Sequence, residues 1–410
     1  MATDSLPHPR GYATICLPVD KDSYNDIVHD PVQFRAFLDQ AFQQHPELFP
    51  AAFADGYDLK DDRHSRKLGL CQRRISCRTT GQAFSIRPDF VMPYMTAWTE
   101  DASDALFLRS FGVPFWAVAH VCGHNRMFWY RMEVGLGRNS IVGTTVRHTE
   151  VPKDLLADEH HQPRDGTKNY IATTVAEGCC LGAAVTETAT EVDLTPAYGI
   201  FKQEAENVEP GYRPATVNTD GWAATRLAWL ALFPLVVVLR CFLHGWLSIR
   251  DRAKHLGEVF RILGDKVWDA YRAENRRCLA QRLRQLRRWA QQHLTGPVLE
   301  QVLKFCGRGR LYGQAYDHPH GHRTSNMLDR VMRWMNRYLD QGLHLHGSKE
   351  ASERHVRAWA LVHNFRPWSP ASKRANKGYA CPAERLNRLR YQEDWLRNLL
   401  VSASMAGYRR

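Results

Sequence analysis

The period of hydrophobic and polar positions changes several times along the chain, and each change predicts a different kind of element. Residues 31–45 indicate a helix, whereas residues 68–75 and 82–87 alternate in polarity around the turn sequence Thr79-Thr80-Gly81. The first 99 residues are therefore predicted to contain a helix and a β-hairpin. Arginines on this hairpin suit either a phosphate-facing or a solvated surface. They are Arg73, Arg74, Arg78 and Arg87.

Residues 100–150 are predicted to form three short helices, over residues 101–110, 115–122 and 125–134. The segment 111–114 contains Gly112 and Pro114 and separates the first two helices. A helix, a glycine-containing turn and a second helix outline a helix-turn-helix, a DNA-binding motif, although a small helical bundle has the same outline. In the first interpretation Asn125, Arg126 and Arg131 contact DNA.

From residue 152 onward, apolar segments of strand length alternate with helical ones. This order predicts an α/β layer fold with an antiparallel hairpin at its start, as in a ribonuclease H-like core. The predicted strands are residues 155–158, 170–175, 180–186, 215–219 and 235–242, and the predicted helices are 194–207 and 223–232. The catalytic core is assigned to residues 151–250 and 311–370. An all-helical insertion occupies 251–310, and a basic helical tail occupies 371–410.

Composition adds charge to this outline. With 44% hydrophobic and 24% charged residues the chain can bury a core, and its formal net charge of +12 predicts a polyanionic partner. Arginines crowd one predicted helix of the insertion, where they form either a solvated face or a surface for DNA phosphates. Those assigned to DNA are Arg276, Arg277, Arg284, Arg287 and Arg288.

The sequence predicts neither an export signal nor a membrane span. The ten cysteines are scattered, and residues 1–10 contain no apolar signal segment, so we expect reduced thiols and a cytoplasmic protein. The longest apolar run, residues 227–239, contains Pro234 and is followed by Arg240. It is too short and too interrupted to cross a bilayer, so no membrane is expected as a partner.

Three aspartates stand where an α/β sheet presents ligands. Asp158 ends the first predicted strand, Asp220 ends the strand 215–219, and Asp329 lies one turn into a predicted helix. A single aspartate near a turn is more often a cap. Two-metal phosphoryl transfer, however, needs carboxylates that converge in space without being close in sequence. The order of the three acids in a basic α/β chain therefore predicts a catalytic metal site.

Residues 217–252 resemble the second-aspartate region of DDE/D transposases of the Mutator-like class, from prokaryotic insertion sequences. Residues 155–160 resemble the first-aspartate strand of that class, and the similarity covers about residues 152–370. Many members have Glu where this chain has Asp329. The motifs that carry the resemblance are Asp220-Gly221, Cys241-x-x-His244 and His322-x-Thr324-Ser325-Asn326-x-x-Asp329-Arg330.

This resemblance implies a DNA transposase in which Asp158, Asp220 and Asp329 are catalytic and bind Mg²⁺, which Mn²⁺ can replace. Water nicks each transposon end, and the 3′-hydroxyl that is released attacks the target DNA. Terminal inverted repeats and target DNA are the implied partners, bound by a homodimer. The implied location is the nucleoid of a prokaryotic cytoplasm.

Several alternatives stay open. The chain can instead be a ribonuclease H-like nuclease without strand transfer, or a transposase-derived regulator that binds DNA without cutting it. Glu159, Asp317 or Asp340 can replace Asp329 as the third acid. The resemblance gives Cys241 and His244 a structural role beside the site, as it does Asn326. A zinc site is the alternative, with further ligands from Cys306, His318, His320 and His322.

Overall fold

The structure is a computed structural model that describes residues 12–342 and 344–408. The expectation about a signal segment in residues 1–10 lies outside the described residues. All ten cysteines are free thiols. Among the described helices, none is both long enough and apolar enough to cross a bilayer.

A four-stranded mixed sheet forms the N-terminal region, in the order β1-β4-β3-β2. The predicted helix and hairpin are present as α2 and as β3 with β4, whereas β1 and β2 were not predicted. Two hairpin arginines are paired with acids of β2, Arg74 with Asp61 and Arg78 with Asp58. The elements are β1 (Thr14–Leu17), α1 (Lys21–Val28), α2 (Pro31–Gln44), β2 (Tyr57–Ser65), β3 (Leu70–Cys77) and β4 (Ala83–Pro88).

Three helices follow at the predicted positions, with a fourth, shorter one behind them. Asn125 caps the third helix by accepting a hydrogen bond from the backbone N–H of Phe128 at 2.9 Å. This helix buries Trp129 and Met132 against the rest of the chain, while Asn125, Arg126 and Arg131 are exposed. The helices are α3 (Thr99–Ser110), α4 (Phe115–Cys122), α5 (Arg126–Leu136) and α6 (Ile141–Thr145).

The central sheet has five strands in the order β7-β6-β5-β8-β9. Strands β5, β6 and β7 are antiparallel neighbours, and β8 and β9 run parallel to β5. Helices α7 and α8 connect β7 to β8 and β8 to β9, so the predicted α/β class is confirmed. The elements are β5 (Asp154–Arg164), β6 (Thr167–Ala176), β7 (Cys179–Thr186), α7 (Glu191–Val208), β8 (Thr216–Thr219), α8 (Ala223–Leu232) and β9 (Val237–Arg240).

After β9 the chain is helical, with a hydrophobic core of its own. Phe242 lies at the centre of this core, in contact with Tyr271, Phe305 and Tyr312. The arginine-rich helix α11 turns Leu279, Leu283 and Leu286 into the core, as the spacing of these leucines predicts. The helices are α9 (Phe242–Ala253), α10 (Glu258–Tyr271), α11 (Arg276–His293), α12 (Gly296–Gly307) and α13 (Gly309–Gly313).

The C-terminal helices return to the two sheets. Helix α14 packs against β5 and β6, and α15 packs against β7 and α5. One hydrophobic core therefore runs from the N-terminal sheet through α3 to α5 and on to α14, α15 and α18. The helices are α14 (Asn326–Gln341), α15 (Lys349–Phe365), α16 (Pro370–Ala375), α17 (Pro382–Asn387) and α18 (Trp395–Ser402).

Asn364 of α15 completes the hydrogen bonding of edge strand β7. Its side-chain amide accepts a hydrogen bond from Cys180 N–H and donates one to Cys180 C=O, both at 2.8 Å. A second donation, at 2.9 Å, goes to the hydroxyl of Thr145. Cys180 lies at an irregularity in the β6–β7 ladder, where one fully buried amide substitutes for a missing strand.

Replacing Asn364 with Leu should therefore destabilise the fold. The variant leaves the N–H and C=O of Cys180 buried and without partners, which costs about 1–3 kcal/mol for each group. Urea unfolding should show a midpoint well below that of the wild type. Asn364→Asp should lower the midpoint as well, because it places a carboxylate at a fully buried position and loses the donor to Cys180 C=O. A wild-type midpoint in Asn364→Leu would contradict this role.

Candidate active site

Asp158 and Asp220 lie side by side on neighbouring parallel strands. Strand β5 pairs with β8 so that Leu156 lies opposite Asn218. The same register, carried two residues further, places Asp158 opposite Asp220, just past the end of β8. The charge of Asp220 adds to the rise in the pKa of the Asp158 carboxyl, as expected for acids on neighbouring strands. The structure thus brings together two of the three predicted acids.

The pKa of Asp158 shows how poorly this pair tolerates two negative charges. Burial raises the pKa of the carboxyl to about 7, and the charges of Asp220 and Glu159 add to the shift. One oxygen of Asp158 accepts the N–H of Glu159 at 2.9 Å, and one oxygen of Asp220 accepts the N–H of Trp222 at 2.6 Å. Both residues offer only oxygen ligands, the type that Mg²⁺ and Mn²⁺ prefer.

His244 supplies positive charge beside the two aspartates. Its interaction with Cys241 raises the pKa of the imidazole to about 9 despite burial, and Asp158 and Asp220 raise it further. Burial alone would raise the pKa of the Cys241 thiol, but the neighbouring His244 and Ser325 lower it. Cys241 follows β9 directly and donates its backbone N–H to Thr219 C=O at 2.8 Å, which places the Cys-x-x-His pair next to Asp220.

Asp329 is linked to the pair through a short chain of side chains. The Ser325 hydroxyl donates to a carboxylate oxygen of Asp329 at 3.0 Å and accepts the Cys241 thiol at 3.4 Å. Asp329 therefore lies in the first turn of α14, facing the end of β9. In the described part of the chain, the three aspartates do not form a group whose ligand oxygens all lie within 4.8 Å of one another. The structure thus does not bring the three acids into one compact cluster.

The segment before α14 is anchored to the central sheet. Asn218 of β8 donates its side-chain amide to His322 C=O at 2.8 Å, and the N–H of Phe242 donates to Arg323 C=O at 3.0 Å. A side chain on Gly321 would collide with Leu239 of β9. These contacts fix the N-terminus of α14, and hence Asp329, relative to the two strands.

The alternative acids have other surroundings. Glu159 accepts the hydroxyl of Tyr198 at 2.7 Å and that of Thr225 at 2.8 Å, which ties β5 to α7 and α8. Asp317 is paired with Arg276 at 3.0 Å. Asp340 is exposed and lies 11 residues beyond Asp329, about 16 Å further along α14.

A groove of about 850 Å³ is lined in part by His322, Thr324 and Asn326. Its wall combines aromatic rings with arginines, and its lining includes no Asp or Glu. Sequence reasoning did not find this groove, because its walls come from α3, α14 and the loops after α15. The rings are Phe107, Phe111, Trp334 and Trp368, and the arginines are Arg330, Arg366 and Arg385.

Arg366 is the unusual cation of this groove. It is 7% exposed, and burial together with the charge of Arg337 lowers its pKa to about 10. The guanidinium stacks on Trp334 at 4.6 Å and on Phe111 at 4.8 Å, and it donates to Ser110 C=O at 2.9 Å. Within residues 12–342 and 344–408 no carboxylate lies within 4.0 Å of it. An anionic ligand would therefore supply the missing countercharge.

The predicted DNA-binding arginines of the insertion lie on the outer face of α11. Arg276, Arg284 and Arg287 border a shallow cleft of about 260 Å³ together with Arg310. One arginine of this set, Arg276, is paired with Asp317 at 3.0 Å. The remaining two predicted residues, Arg277 and Arg288, are exposed on the same helix. Asn125, Arg126 and Arg131 belong to a separate surface, on α5.

The described chain contains two other groups of metal-ligand side chains, and neither includes a predicted aspartate. Their ligand atoms lie within 4.8 Å of one another. The groups are His29 with Asp62 and Cys71, and His45 with Glu47 and His148. Each group combines residues from separate segments and follows no recognised spacing, so the sequence carried no signal for them. The proposed supply of zinc ligands near Cys241 does not form such a group in the described residues.

No protein-family model matches the chain, and a comparison with curated proteins finds no significant match.

The pKa of Asp158 predicts a pH-dependent gain of stability in Asp158→Asn. A carboxyl whose pKa is raised to about 7 by folding weakens the fold progressively as the pH rises from about 4 through 7. The variant should therefore unfold at higher urea than the wild type, by on the order of 2 kcal/mol at pH 8 and by less at pH 5. Urea unfolding of the variant and of the wild type is measured in EDTA, which removes bound metal ions.

Asp340→Asn is the matched control, because Asp340 is an exposed acid of α14. It should leave the urea midpoint unchanged at both pH values. An equal gain for Asp158→Asn at pH 5 and pH 8 would mean that the half-buried carboxylate is not the source.

Proposed function

We propose that this protein is a DNA transposase that cleaves transposon ends and joins them to target DNA at a divalent metal site. The observation that carries the proposal is the side-by-side placement of Asp158 and Asp220 on β5 and β8. Burial and mutual repulsion raise the pKa of Asp158, so the pair favours a bound cation. The oxygen-only ligands suit Mg²⁺ or Mn²⁺, and the basic chain suits DNA as the substrate.

The sheet topology supports a ribonuclease H-like assignment for the core. Three antiparallel strands are followed by two parallel strands on the other side of β5, with a helix at each crossover. The acids lie on the first and fourth strands of this order, and the third acid is on a helix that packs on β5 and β6. A helical segment with its own core separates the fifth strand from that helix.

In this proposal each group of the site has a defined task. Asp158, Asp220 and Asp329 would hold the metal, and Mg²⁺ bound there would supply Lewis acidity at the scissile phosphate. His244 would offset part of the negative charge of Asp158 and Asp220. Ser325 positions Asp329 through the hydrogen bond between them.

The groove gives the DNA a route to the carboxylates. Its arginines neutralise backbone phosphates, and Trp334 and Trp368 offer flat surfaces on which bases stack. Because His322, Thr324 and Asn326 line the groove, DNA bound there would pass the N-terminus of α14, the helix that carries Asp329. The cleft on α11 provides a second basic surface, which suits an enzyme that must hold both transposon ends and target DNA.

A supercoiled plasmid carrying the DNA that flanks the gene tests the proposal. The wild type with Mg²⁺ should nick at the element ends and produce joined molecules. Asp329→Asn should lose both activities by at least about 100-fold while binding the same DNA, since it removes a metal ligand and no DNA contact. Asp340→Asn, on the same helix, should stay active.

The other outcomes separate the competing functions. Nicks without joined products would identify a ribonuclease H-like nuclease. Binding without cleavage in either Mg²⁺ or Mn²⁺ would identify a regulator. Full activity of both Asp158→Asn and Asp220→Asn would show that the site is elsewhere.

The arginines of α11 should contribute to affinity and not to chemistry. Arg284→Ala and Arg287→Ala should each weaken DNA binding and reduce the slope of log K against log salt by about 1. The control is Arg261→Ala on α10, because Arg261 is paired with Glu258 and lies 3.6 Å from Asp265. Fluorescence anisotropy between low and moderate salt measures the slopes. If Arg284→Ala and Arg287→Ala gave the same slope as Arg261→Ala, α11 would not be part of the DNA interface.

A further inference from the structure

Four side chains from distant parts of the sequence meet beside the start of the catalytic core. Glu47 Oε1 lies 3.0 Å from His148 Nε2, 3.5 Å from His45 Nδ1 and 2.8 Å from the hydroxyl oxygen of Tyr391. The Tyr391 hydroxyl in turn lies 3.1 Å from His148 Nε2. Two imidazole nitrogens and a phenol oxygen therefore lie close to one carboxylate oxygen, and the ligand atoms of His45, Glu47 and His148 all lie within 4.8 Å of one another.

Hydrogen bonds alone do not account for this arrangement. The three mutual contacts among Glu47, His148 and Tyr391 have only two protons to share, one on the imidazole nitrogen and one on the hydroxyl. His45 Nδ1 is buried and has no hydrogen-bond partner among the described residues. A buried ring nitrogen without a partner is costly, whereas a cation among these ligand atoms would bind its lone pair.

The dimensions of the cluster match a tetrahedral metal site. Bonds of 2.0–2.1 Å from a central zinc ion place neighbouring ligand atoms about 3.3 Å apart. Of the six separations among the four ligand atoms, four span 2.8 to 3.5 Å around that value, and the ligand atoms of His45 and His148 lie within 4.8 Å of each other. Two neutral imidazoles and one carboxylate form a common zinc ligand set, and the Tyr391 oxygen closes the fourth corner.

The backbone around His148 is held in place independently of any metal. Asn387 accepts hydrogen bonds from the N–H groups of Arg147 and His148 at 2.7 and 3.0 Å. The Arg147 guanidinium donates to Glu47 C=O at 3.1 Å and to Ser402 C=O at 2.7 Å. The Arg147 side chain thus fixes the segments that carry His148 and Glu47. These ligands therefore need little rearrangement when a metal ion binds.

We propose that His45, Glu47, His148 and Tyr391 bind a structural zinc ion, separate from the carboxylate site. His45 and Glu47 follow α2 in the N-terminal region, His148 precedes β5, and Tyr391 precedes α18. A zinc ion here cross-links the N-terminal region, the entry to the central sheet and the C-terminal region. The zinc ion stabilises the position of β5 and takes no part in phosphoryl transfer.

Metal content and Co²⁺ spectroscopy on the full-length chain, without a histidine tag, test this site. The wild type, dialysed against Zn²⁺ and then against metal-free buffer, should retain one zinc per chain. His148→Ala should lose it, while His64→Ala, which removes an exposed histidine of β2, should retain it. Tyr391→Phe should weaken zinc binding by about 10- to 100-fold.

Wild-type protein loaded with Co²⁺ gives a readout that needs no variant. Visible bands with the intensity of a tetrahedral complex should appear, and Tyr391→Phe should shift them. A wild type that retains no zinc and gives no such bands would overturn the proposal. Zinc that persists in His148→Ala but disappears in Cys241→Ser would also overturn it, by placing the ion at the Cys-x-x-His pair. Asp158→Asn should leave zinc content unchanged, so the test is independent of the transposase proposal.

Discussion

The parallel pairing of β5 with β8 determines the separation of Asp158 and Asp220, and the chemistry of the site depends on it. Strands in a sheet lie about 4.8 Å apart, so two carboxylates in register on neighbouring strands repel each other strongly unless a cation lies between them. The chain meets this repulsion with a raised pKa at Asp158 and with a charged His244 beside Cys241. Asp158 can release its proton and His244 can lose its charge. The two carboxylates therefore stay available to a metal ion.

Strand β5 also connects the site to the core through its alternating side chains. Asp158 faces the cleft, while the next residue, Glu159, is held by Tyr198 and Thr225 of two helices on the other side of the sheet. On the cleft side, Ser325 links Asp329 to Cys241. Glu159 and Asp329 are therefore each fixed by side chains from other elements. The sheet connects these fixed positions to Asp158.

The sequence predicted the central sheet well because its strands and helices have continuous apolar patterns, from 170–175 to 235–242. It did not predict β2, whose residues are mostly polar and exposed, or the second half of β5, which is stabilised by pairing with β6 and not by its own pattern. Strand ends were sufficient to expect Asp158 near Asp220. The buried charge of Arg366 and the cluster around Glu47 arise from tertiary contacts between distant segments, which no local pattern encodes.

The adjacency of Asp158 and Glu159 makes the site sensitive to the alignment of a single strand. Side chains alternate along β5, so a slip of one residue would exchange the cleft carboxylate for the one that is buried against α7 and α8. The two hydroxyls that bind Glu159 penalise such a slip, because they would lose their acceptor. Glu159, which has no part in the proposed reaction, thereby fixes the strand register that places Asp158 in the proposed catalytic site.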